Sequence, residues 1–306
     1  MFLAAQKRQD EVVDILPGLS ALRVSDLPDG VVLGPLHSLF SLLLHRMALY
    51  LPHAAAVAVN TVHHLDSTIL GHLQTNFRTC PAVGPLSLLS PPPRSTPDLD
   101  AAGHQCLAWL DGFSHSPASV AYVSFGSFLT PPPAELAALA AGLEASGAPF
   151  VWSLKEKAWE GLPCGFLARV EGRGLVVPWA PQVEVLSHAA VGVFVTHCGW
   201  NSVMESVSGG VPMICRPFFG DQKVNGRMVS EVWKIGVGVE GGVLSEDGVA
   251  AAVDLVLRKE EGRGMRERAG GLREVAKQAV ADGGSSRTGV DALLQIINPD
   301  PEASLA

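Results

Sequence analysis

Polar and aromatic side chains follow directly after several segments that have the apolar composition of buried β-strands. Four such loops are Ser124–Ser127, Trp179–Gln182, His197–Ser202 and Pro217–Gln222. In open parallel sheets, ligands bind outside the carboxyl ends of the strands. We therefore expect the four loops to face one crevice and to share one ligand.

The residues in these loops suit a nucleoside diphosphate sugar. Gly199 precedes a helix whose first turn carries Asn201 and Ser202, and the free N–H groups and dipole of such a turn favour phosphate. His197 can donate a charge-assisted hydrogen bond to the same phosphates. Trp179 offers a flat face on which a base can stack, which contributes about 1–3 kcal/mol.

Carboxylate and amide side chains in the same region suit hydroxyl groups. Glu205 lies one helical turn beyond the phosphate-binding residues, where it can accept hydrogen bonds from a ribose. Asp221 and Gln222 are short polar side chains near the end of a strand, and we expect them to contact the sugar.

Each of these residues also has a purely structural interpretation. Trp179 could belong to the core, and His197 could be a strand-end histidine with a protein partner. Asn201 and Ser202 could cap their helix, and Asp221 could cap the next one. The occurrence of all of them in neighbouring loops favours the binding site.

The elements around these loops predict an α/β fold with a Rossmann-like parallel sheet, because strands alternate with helices. The predicted strands are Ala121–Ser124, Phe150–Leu154, Leu175–Pro178, 191–196 and 211–215. The predicted helices are Pro132–Gly147, 181–188, 200–208, 221–234, 245–258, 261–281 and 286–297.

Residues 1–86 resemble the end of another α/β domain. Helices are expected at Ser38–Leu51 and Val62–Leu73, with a short β-like run at Ala54–Asn60 between them. A parallel sheet of so few strands cannot cover both of its faces. We therefore expect that a preceding segment is missing and that this region exposes apolar surface.

Residues 87–103 are predicted to form a Pro-rich linker, since three consecutive prolines followed by polar residues favour an extended chain. The linker contains Asp98 and Asp100, an Asp-x-Asp pattern that metal-dependent sugar transferases use. A flexible linker does not hold two carboxylates around a cation, so we expect no metal site. The remaining domains are expected at 104–285, which binds the ligand, and 286–306, a helix and a disordered tail from Pro299.

Composition narrows the class of protein. The 306 residues are 47% apolar and 17% charged, which suits a globular enzyme, and the net charge of −8 argues against nucleic acid or an anionic membrane as partner. Five cysteines without a CxxC pair argue against a zinc site or disulfides and favour a reducing compartment. The sequence has no apolar run of transmembrane length, and its early charged residues predict that the start is not a signal peptide. We expect a monomeric cytoplasmic protein without membrane insertion.

Trp179–Gln222 reads WAPQVEVLSHAAVGVFVTHCGWNSVMESVSGGVPMICRPFFGDQ. This segment resembles the signature of the plant secondary product glycosyltransferases, the family 1 UDP-dependent glycosyltransferases, over its full length. The resemblance extends to VSFGS at Val123–Ser127 and to LPGLSALRVSDLPDGVV at Leu16–Val32. Within the family, the chain is most similar to the flavonoid and anthocyanidin 3-O-glucosyltransferases.

The resemblance implies a GT-B fold, in which an N-terminal acceptor domain faces a C-terminal donor domain, and a metal-independent, inverting reaction without a cofactor. It implies that Trp179 stacks on uracil, that the Ala180 backbone reads the edge of the base, and that Glu205 and Gln182 bind ribose. The diphosphate would be held by Ser127, His197, Asn201 and Ser202. The sugar would contact Trp200, Asp221 and Gln222.

The final glutamine of this signature usually accompanies glucose, so Gln222 favours UDP-glucose over UDP-galactose. The family's catalytic base is an N-terminal His oriented by an Asp about a hundred residues later, and no residue of this sequence matches either. We therefore expect an N-terminally truncated chain without catalytic residues. The leading hypothesis is a UDP-glucose:flavonoid 3-O-glucosyltransferase. The alternatives are an inactive remnant that binds UDP-sugar, or a transferase for another small phenolic or terpenoid acceptor.

Overall fold

The computed structural model describes residues 9–32, 34–89 and 97–298. Within them, the chain forms two compact units, one of residues 9–32, 34–89, 219–224 and 274–298, and one of residues 97–218 and 225–273. We refer to them as the first and the second unit. In chain order the helices and strands are α1 Leu39–Tyr50, α2 Ser67–Asn76, α3 Leu86–Leu89, α4 Pro97–Asp111, β1 Val120–Ser124, α5 Pro133–Ser146, β2 Phe150–Ser153, α6 Phe166–Arg169, β3 Gly174–Val177, α7 Gln182–Ser187, β4 Val191–Thr196, α8 Trp200–Gly209, β5 Met213–Cys215, α9 Gln222–Arg227, β6 Gly236–Gly238, α10 Glu246–Arg258, α11 Glu260–Val280 and α12 Ser285–Ile297.

The second unit contains a six-stranded sheet in the order β3-β2-β1-β4-β5-β6. All neighbouring strands are parallel, and Tyr122 of β1 lies beside Phe194 of β4. This is the strand order of the Rossmann fold. Successive strands are added on one side of β1 up to β3 and on its other side from β4 onward, so the order reverses between β1 and β4. The α/β class and the Rossmann-like sheet predicted from the sequence are therefore confirmed.

The sheet forms where it does because its strands are short apolar runs that can be covered on both faces. Every residue of β1 and β4 is buried. Such continuous burial is typical of parallel sheets flanked by helices. The largest side chains of the surrounding core are Trp152, Tyr122, Phe150, Phe166 and Phe194.

Helices α5, α7, α8, α10 and α11 begin and end within one residue of the predicted bounds. Helix α5 starts at Pro133 and stops at Gly147, which has a φ of +64° that glycine adopts without strain. Helix α10 packs closely against α5, since a methyl group added at Gly142 would lie 2.6 Å from Cβ of Val249. Strand β6 was missed because it has three residues, two of them glycine.

In the first unit the predicted β-like run does not form a strand, whereas the first predicted helix is present. Within the described residues it has no strand, and the β-like run at Ala54–Asn60 makes only an isolated parallel bridge, Val59 to Ala82. Helix α1 agrees with the predicted Ser38–Leu51, and most of its apolar side chains are exposed, as expected. Helix α2 begins at Ser67, five residues later than predicted.

The extended linker predicted at residues 87–103 is wrong at both ends. Helix α3 reaches Leu89, and α4 begins at Pro97. Proline is tolerated at the start of a helix because the N–H groups of the first turn make no hydrogen bond within the helix, so the missing N–H of proline costs none. The predicted domain boundaries stay predictions. Helix α12 belongs to the first unit, where a methyl group at Gly289 would lie 2.3 Å from the carbonyl oxygen of Ala82.

No helix in residues 9–32, 34–89 or 97–298 is both long and apolar enough to cross a membrane. The tail from Pro299, for which disorder was predicted, lies outside the described residues.

Candidate functional site

A cavity of about 580 Å³ opens at the carboxyl ends of the strands in the second unit. Five of the eleven residues predicted to bind a UDP-sugar line it, namely Ser127, Trp179, Ala180, Gln182 and Glu205. The cavity lies at the side of the sheet where β1, β2 and β3 end, beginning at the reversal of strand order. This is the place where a doubly wound sheet binds its ligand.

Trp179 is half-buried and lies in the loop after β3. A methyl group added at Gly103 of α4 would lie 3.4 Å from Cζ3 of the Trp179 ring and 3.5 Å from Pro181. Gly103 and its neighbour His104 also line the cavity. The segment predicted to be the end of a linker therefore supports the aromatic ring of the site.

Gln182 connects three polar side chains at the cavity wall. Its Nε2 donates hydrogen bonds to Ser202 Oγ at 2.9 Å and to Glu205 Oε2 at 2.7 Å. Its Oε1 accepts from the hydroxyl of Tyr122 at 3.2 Å. Both amide hydrogens of Gln182 are thus used within the protein.

Glu205 stands on α8, one turn beyond Ser202, as the sequence spacing predicts. Burial raises the pKa of Glu205, the hydrogen bond from Gln182 lowers it, and the nearby charge of Glu184 raises it further. A carboxylate that is partly desolvated at a cavity wall gains from ligand hydroxyls that donate to it.

His197 lies between two glycines at the point where β4 turns into α8. A methyl group would lie 3.1 Å from Cε1 of His197 if added at Gly126, and 2.5 Å from Nε2 if added at Gly199. Any larger residue at Gly199 would therefore displace the imidazole. The two glycines bring the loops after β1 and β4 together around this ring.

Cys198 gives the loop after β4 its sharp turn. Its φ of +63° is unusual for a residue with a side chain. Thr196 Oγ1 accepts from the Cys198 N–H at 3.2 Å, and Asn225 Nδ2 donates to the Cys198 carbonyl at 2.9 Å. Non-glycine residues in this conformation persist where the surroundings hold them, often at functional sites.

The first turn of α8 contains Trp200, Asn201 and Ser202. Ser202 is buried and accepts the hydrogen bond from Gln182. The ring of Trp200 lies 6.2 Å from that of Trp233. Neither His197 nor these three residues line the cavity, so their contacts with phosphate or sugar stay predictions.

Asp221 and Gln222 belong to the first unit. Gln222 is buried, and its Oε1 accepts a hydrogen bond from the Phe219 N–H at 3.1 Å. This bond closes the loop directly before α9. The predicted contacts of both residues with a sugar stay predictions.

Several cavity residues were missed from the sequence. Ser153 is the last residue of β2 and Lys155 follows that strand, whose end lies at the same edge of the sheet as the predicted binding loops. The pairing of Ser153 with Val177 places Lys155 at the level of Trp179, so the strand order would have indicated it. Tyr122 was missed because an aromatic residue within an apolar strand is typical of a core.

A largely buried ion pair lies outside the cavity. Arg216, which follows β5, donates from Nε and Nη2 to the carboxylate of Glu135 on α5 at 2.7 and 2.6 Å. Glu135 also accepts from the Leu244 N–H at 2.9 Å, and the Arg216 guanidinium lies 4.0 Å from the ring centre of Phe218. The hydrogen bonds from Arg216 lower the pKa of Glu135, with burial opposing them and Leu244 adding to them.

Within the part of the chain that the structure describes, no three His, Cys, Asp or Glu residues form a group that could hold a metal ion. The five cysteines are free thiols.

The chain is similar to glycosyltransferases of plants. It is 52% identical to anthocyanidin 3-O-glucosyltransferase 7 of Manihot esculenta, over 93% of this chain and 97% of that protein. It is 50% identical to the anthocyanidin 3-O-glucosyltransferase UFGT of Vitis vinifera, over 96% of this chain but only 63% of that one.

The fold agrees with these relatives. The crystal structure of a UDP-glucose: anthocyanidin 3-O-glucosyltransferase in complex with UDP superimposes with a TM-score of 0.87 and 42% identity, over 97% of this chain and 67% of that chain. This match supports the GT-B type predicted from the sequence. Residues 4–265 match the family described as UDP-glucoronosyl and UDP-glucosyl transferase, and the chain belongs to that family.

Proposed function

We propose that the protein is a donor-binding part of a UDP-glucosyltransferase that glucosylates a hydroxyl of a flavonoid or anthocyanidin, with the 3-hydroxyl as the expected position. The observation that carries the proposal is the cavity at the strand ends of a Rossmann-type sheet, which Trp179 and Glu205 both line. The names of the relatives support the choice of donor and acceptor.

Different cavity residues bind different parts of the UDP-sugar. The half-buried ring of Trp179 stacks on uracil, and the Ala180 backbone contacts the edge of the base. Glu205, held by Gln182, accepts from the ribose hydroxyls. Ser127 from the loop after β1 binds the diphosphate.

The N-terminus of α8 completes the donor site. Asn201, Ser202 and His197 hold the diphosphate there, with Trp200, Asp221 and Gln222 at the sugar. Helix N-termini bind phosphate because their free N–H groups and dipole both favour negative charge.

The reaction is a direct displacement at the anomeric carbon. The acceptor oxygen forms a bond to that carbon as the bond to the UDP oxygen breaks, and the configuration inverts. The proton of the acceptor hydroxyl passes to a base, and the negative charge of the departing diphosphate is stabilised at the N-terminus of α8. No metal is required, because helix N–H groups and His197 supply this stabilisation.

No residue of the chain matches the base expected from the resemblance. We therefore expect the 306-residue protein to bind UDP well but to transfer glucose slowly. Calorimetry with UDP, combined with a turnover assay on cyanidin and quercetin with UDP-glucose, tests both expectations. Failure to bind UDP contradicts the donor site, and rapid turnover contradicts the absence of a catalytic base.

The donor sugar is tested separately. Gln222 favours glucose, so we expect tighter binding of UDP-glucose than of UDP-galactose in the same calorimeter, and Gln222→His should reduce the difference. Equal binding of both sugars by both proteins would remove this role from Gln222. We further propose a monomer in a reducing, cytoplasmic compartment, in keeping with the five free thiols.

A further inference from the structure

We propose that Tyr122 is a positioning residue for the nucleotide: its hydroxyl orients the Gln182 amide, which in turn aims the Glu205 carboxylate at the ribose. The inference rests on the proposed donor site. It assigns a task in ligand binding to a residue whose sequence context indicates only a core position.

The ring of Tyr122 is held firmly by the sheet. Tyr122 is 1% exposed, and its ring stacks on Phe194 of β4 with 5.0 Å between ring centres and 21° between planes. Its side chain nevertheless contributes to the cavity wall. The hydroxyl therefore occupies a fixed position at the edge of the binding cavity.

A glutamine amide has two ends that differ in hydrogen bonding but hardly in shape. The oxygen only accepts, and the nitrogen only donates. In the observed orientation Nε2 donates to Glu205 Oε2 at 2.7 Å, while Oε1 accepts from Tyr122 at 3.2 Å. A rotation by 180° would turn the amide oxygen toward the carboxylate, where two acceptors would meet.

The hydroxyl of Tyr122 holds the oxygen end of the amide in place, because it donates to Oε1 at 3.2 Å. The hydroxyls of Tyr122 and Ser202 can both donate and accept, so the acceptor-only carboxylate of Glu205 is the partner that selects which end of the amide faces it. Without the Tyr122 hydroxyl, Oε1 loses its buried partner, and the amide that donates to Glu205 is held less firmly. Tyr122 is thus the partner that fixes the position of the amide at its oxygen end.

The consequence falls on the ribose. The carboxylate of Glu205 has one oxygen bound to Gln182, which holds its plane, and it lines the cavity. Two adjacent ribose hydroxyls are donors that suit such a carboxylate. Loss of the Tyr122 hydroxyl should therefore weaken only ligands that carry these hydroxyls.

Tyr122→Phe removes the hydroxyl and keeps the ring. Calorimetry with UDP and with 2′,3′-dideoxyuridine diphosphate measures the effect on each ligand. We expect UDP affinity to fall about three- to tenfold, as for one hydrogen bond, and the dideoxy ligand to change less than about twofold. Tyr50→Phe is a matched control, because Tyr50 is the other tyrosine of the chain and is exposed on α1.

A double-mutant cycle tests that Tyr122 acts through Gln182. Gln182→Met removes the amide at similar length, and we expect Tyr122→Phe to cause no further loss of UDP affinity in that background. Equal losses for both ligands would reduce Tyr122 to a structural residue and overturn the inference. Unchanged UDP affinity would do the same. If the parent protein binds neither ligand, the donor site itself fails and the inference fails with it.

Discussion

Two glutamates of the second unit, Glu135 and Glu205, are both half-buried, but their surroundings shift their pKa values in opposite directions. Glu135 receives two hydrogen bonds from Arg216 and one from the Leu244 N–H, and these lower its pKa. Glu205 receives a neutral amide donor from Gln182, and burial raises its pKa.

The difference separates a carboxylate paired within the protein from the one that we propose binds the ligand. The charge of Glu135 is neutralised inside the protein, so nothing remains for a ligand to supply. The charge of Glu205 is only partly compensated, and it stands at a cavity wall. A group whose desolvation is incompletely compensated is a candidate for function, because a bound ligand can supply the missing hydrogen bonds.

The largest effect is expected from Arg216→Met, which leaves the largely buried Glu135 carboxylate without its cation. Glu135 and Arg216 side chains are 13% and 11% exposed. We expect the free energy of unfolding to fall by about 3 kcal/mol, the lower end of the cost of breaking a fully buried pair, because both side chains keep some exposure. Urea unfolding at neutral pH measures it.

Glu144 and Arg169 provide a matched control on the same helix. Glu144 is also on α5 and also pairs with both ends of a guanidinium, but the side chains of Glu144 and Arg169 are 27% and 47% exposed. Arg169→Met should therefore lower the free energy of unfolding much less than Arg216→Met does. If the two arginine variants lose the same stability, burial is not what distinguishes the pairs.

The next effect concerns ligand affinity. Glu205→Gln keeps the shape of the side chain but removes its charge, and we expect UDP to bind about 10- to 100-fold more weakly. The stability of the protein should stay equal or rise, since a partly desolvated charge is removed. Calorimetry and urea unfolding of the same preparation measure both quantities.

The matched variant is Glu135→Gln, for which we expect the reverse: a clear loss of stability and UDP affinity within about twofold of the parent. A loss of UDP affinity in Glu135→Gln as large as in Glu205→Gln would contradict the separation of the two roles.

The helices and strands that carry the two glutamates could be predicted from the sequence, but their side-chain partners could not. The strands and helices around Glu205 were predictable because apolar runs and caps are local signals. Its place one turn into α8 follows from the helical period. The pairing of Glu135 with Arg216, 81 positions apart, carries no local signal and needed the strand order.

The first unit shows the same limit. Helix α1 was predictable from its apolar spacing, but Ala54–Asn60 has a β-like composition and forms only a bridge at Val59. Composition cannot tell whether a partner strand is available. The placement of Gly103 beside Trp179 was hidden for a related reason, because the prolines before it favoured an extended chain over α4.

The smallest effect, and the most direct contrast, is expected in the pH dependence of stability. The pKa of Glu135 is lowered from its ordinary value of 4.5, so its contribution to folding is present above pH 4.5 and is lost as the pH falls through the lowered pKa. The pKa of Glu205 is raised from 4.5, so its contribution is complete below pH 4.5 and is lost as the pH rises through the raised pKa.

Urea unfolding between about pH 4 and pH 8 should therefore give two opposite trends. The parent should have a higher free energy of unfolding than Glu135→Gln. This difference should be largest near neutral pH and shrink as the pH falls below 4.5. For Glu205 the sign is opposite, because Glu205→Gln should have a higher free energy of unfolding than the parent. This second difference should also be largest near neutral pH and vanish towards pH 4.5. Saturating UDP should narrow the second difference and leave the first unchanged, because only Glu205 gains partners from the ligand. If UDP changes both differences alike, the two carboxylates are not separated in function.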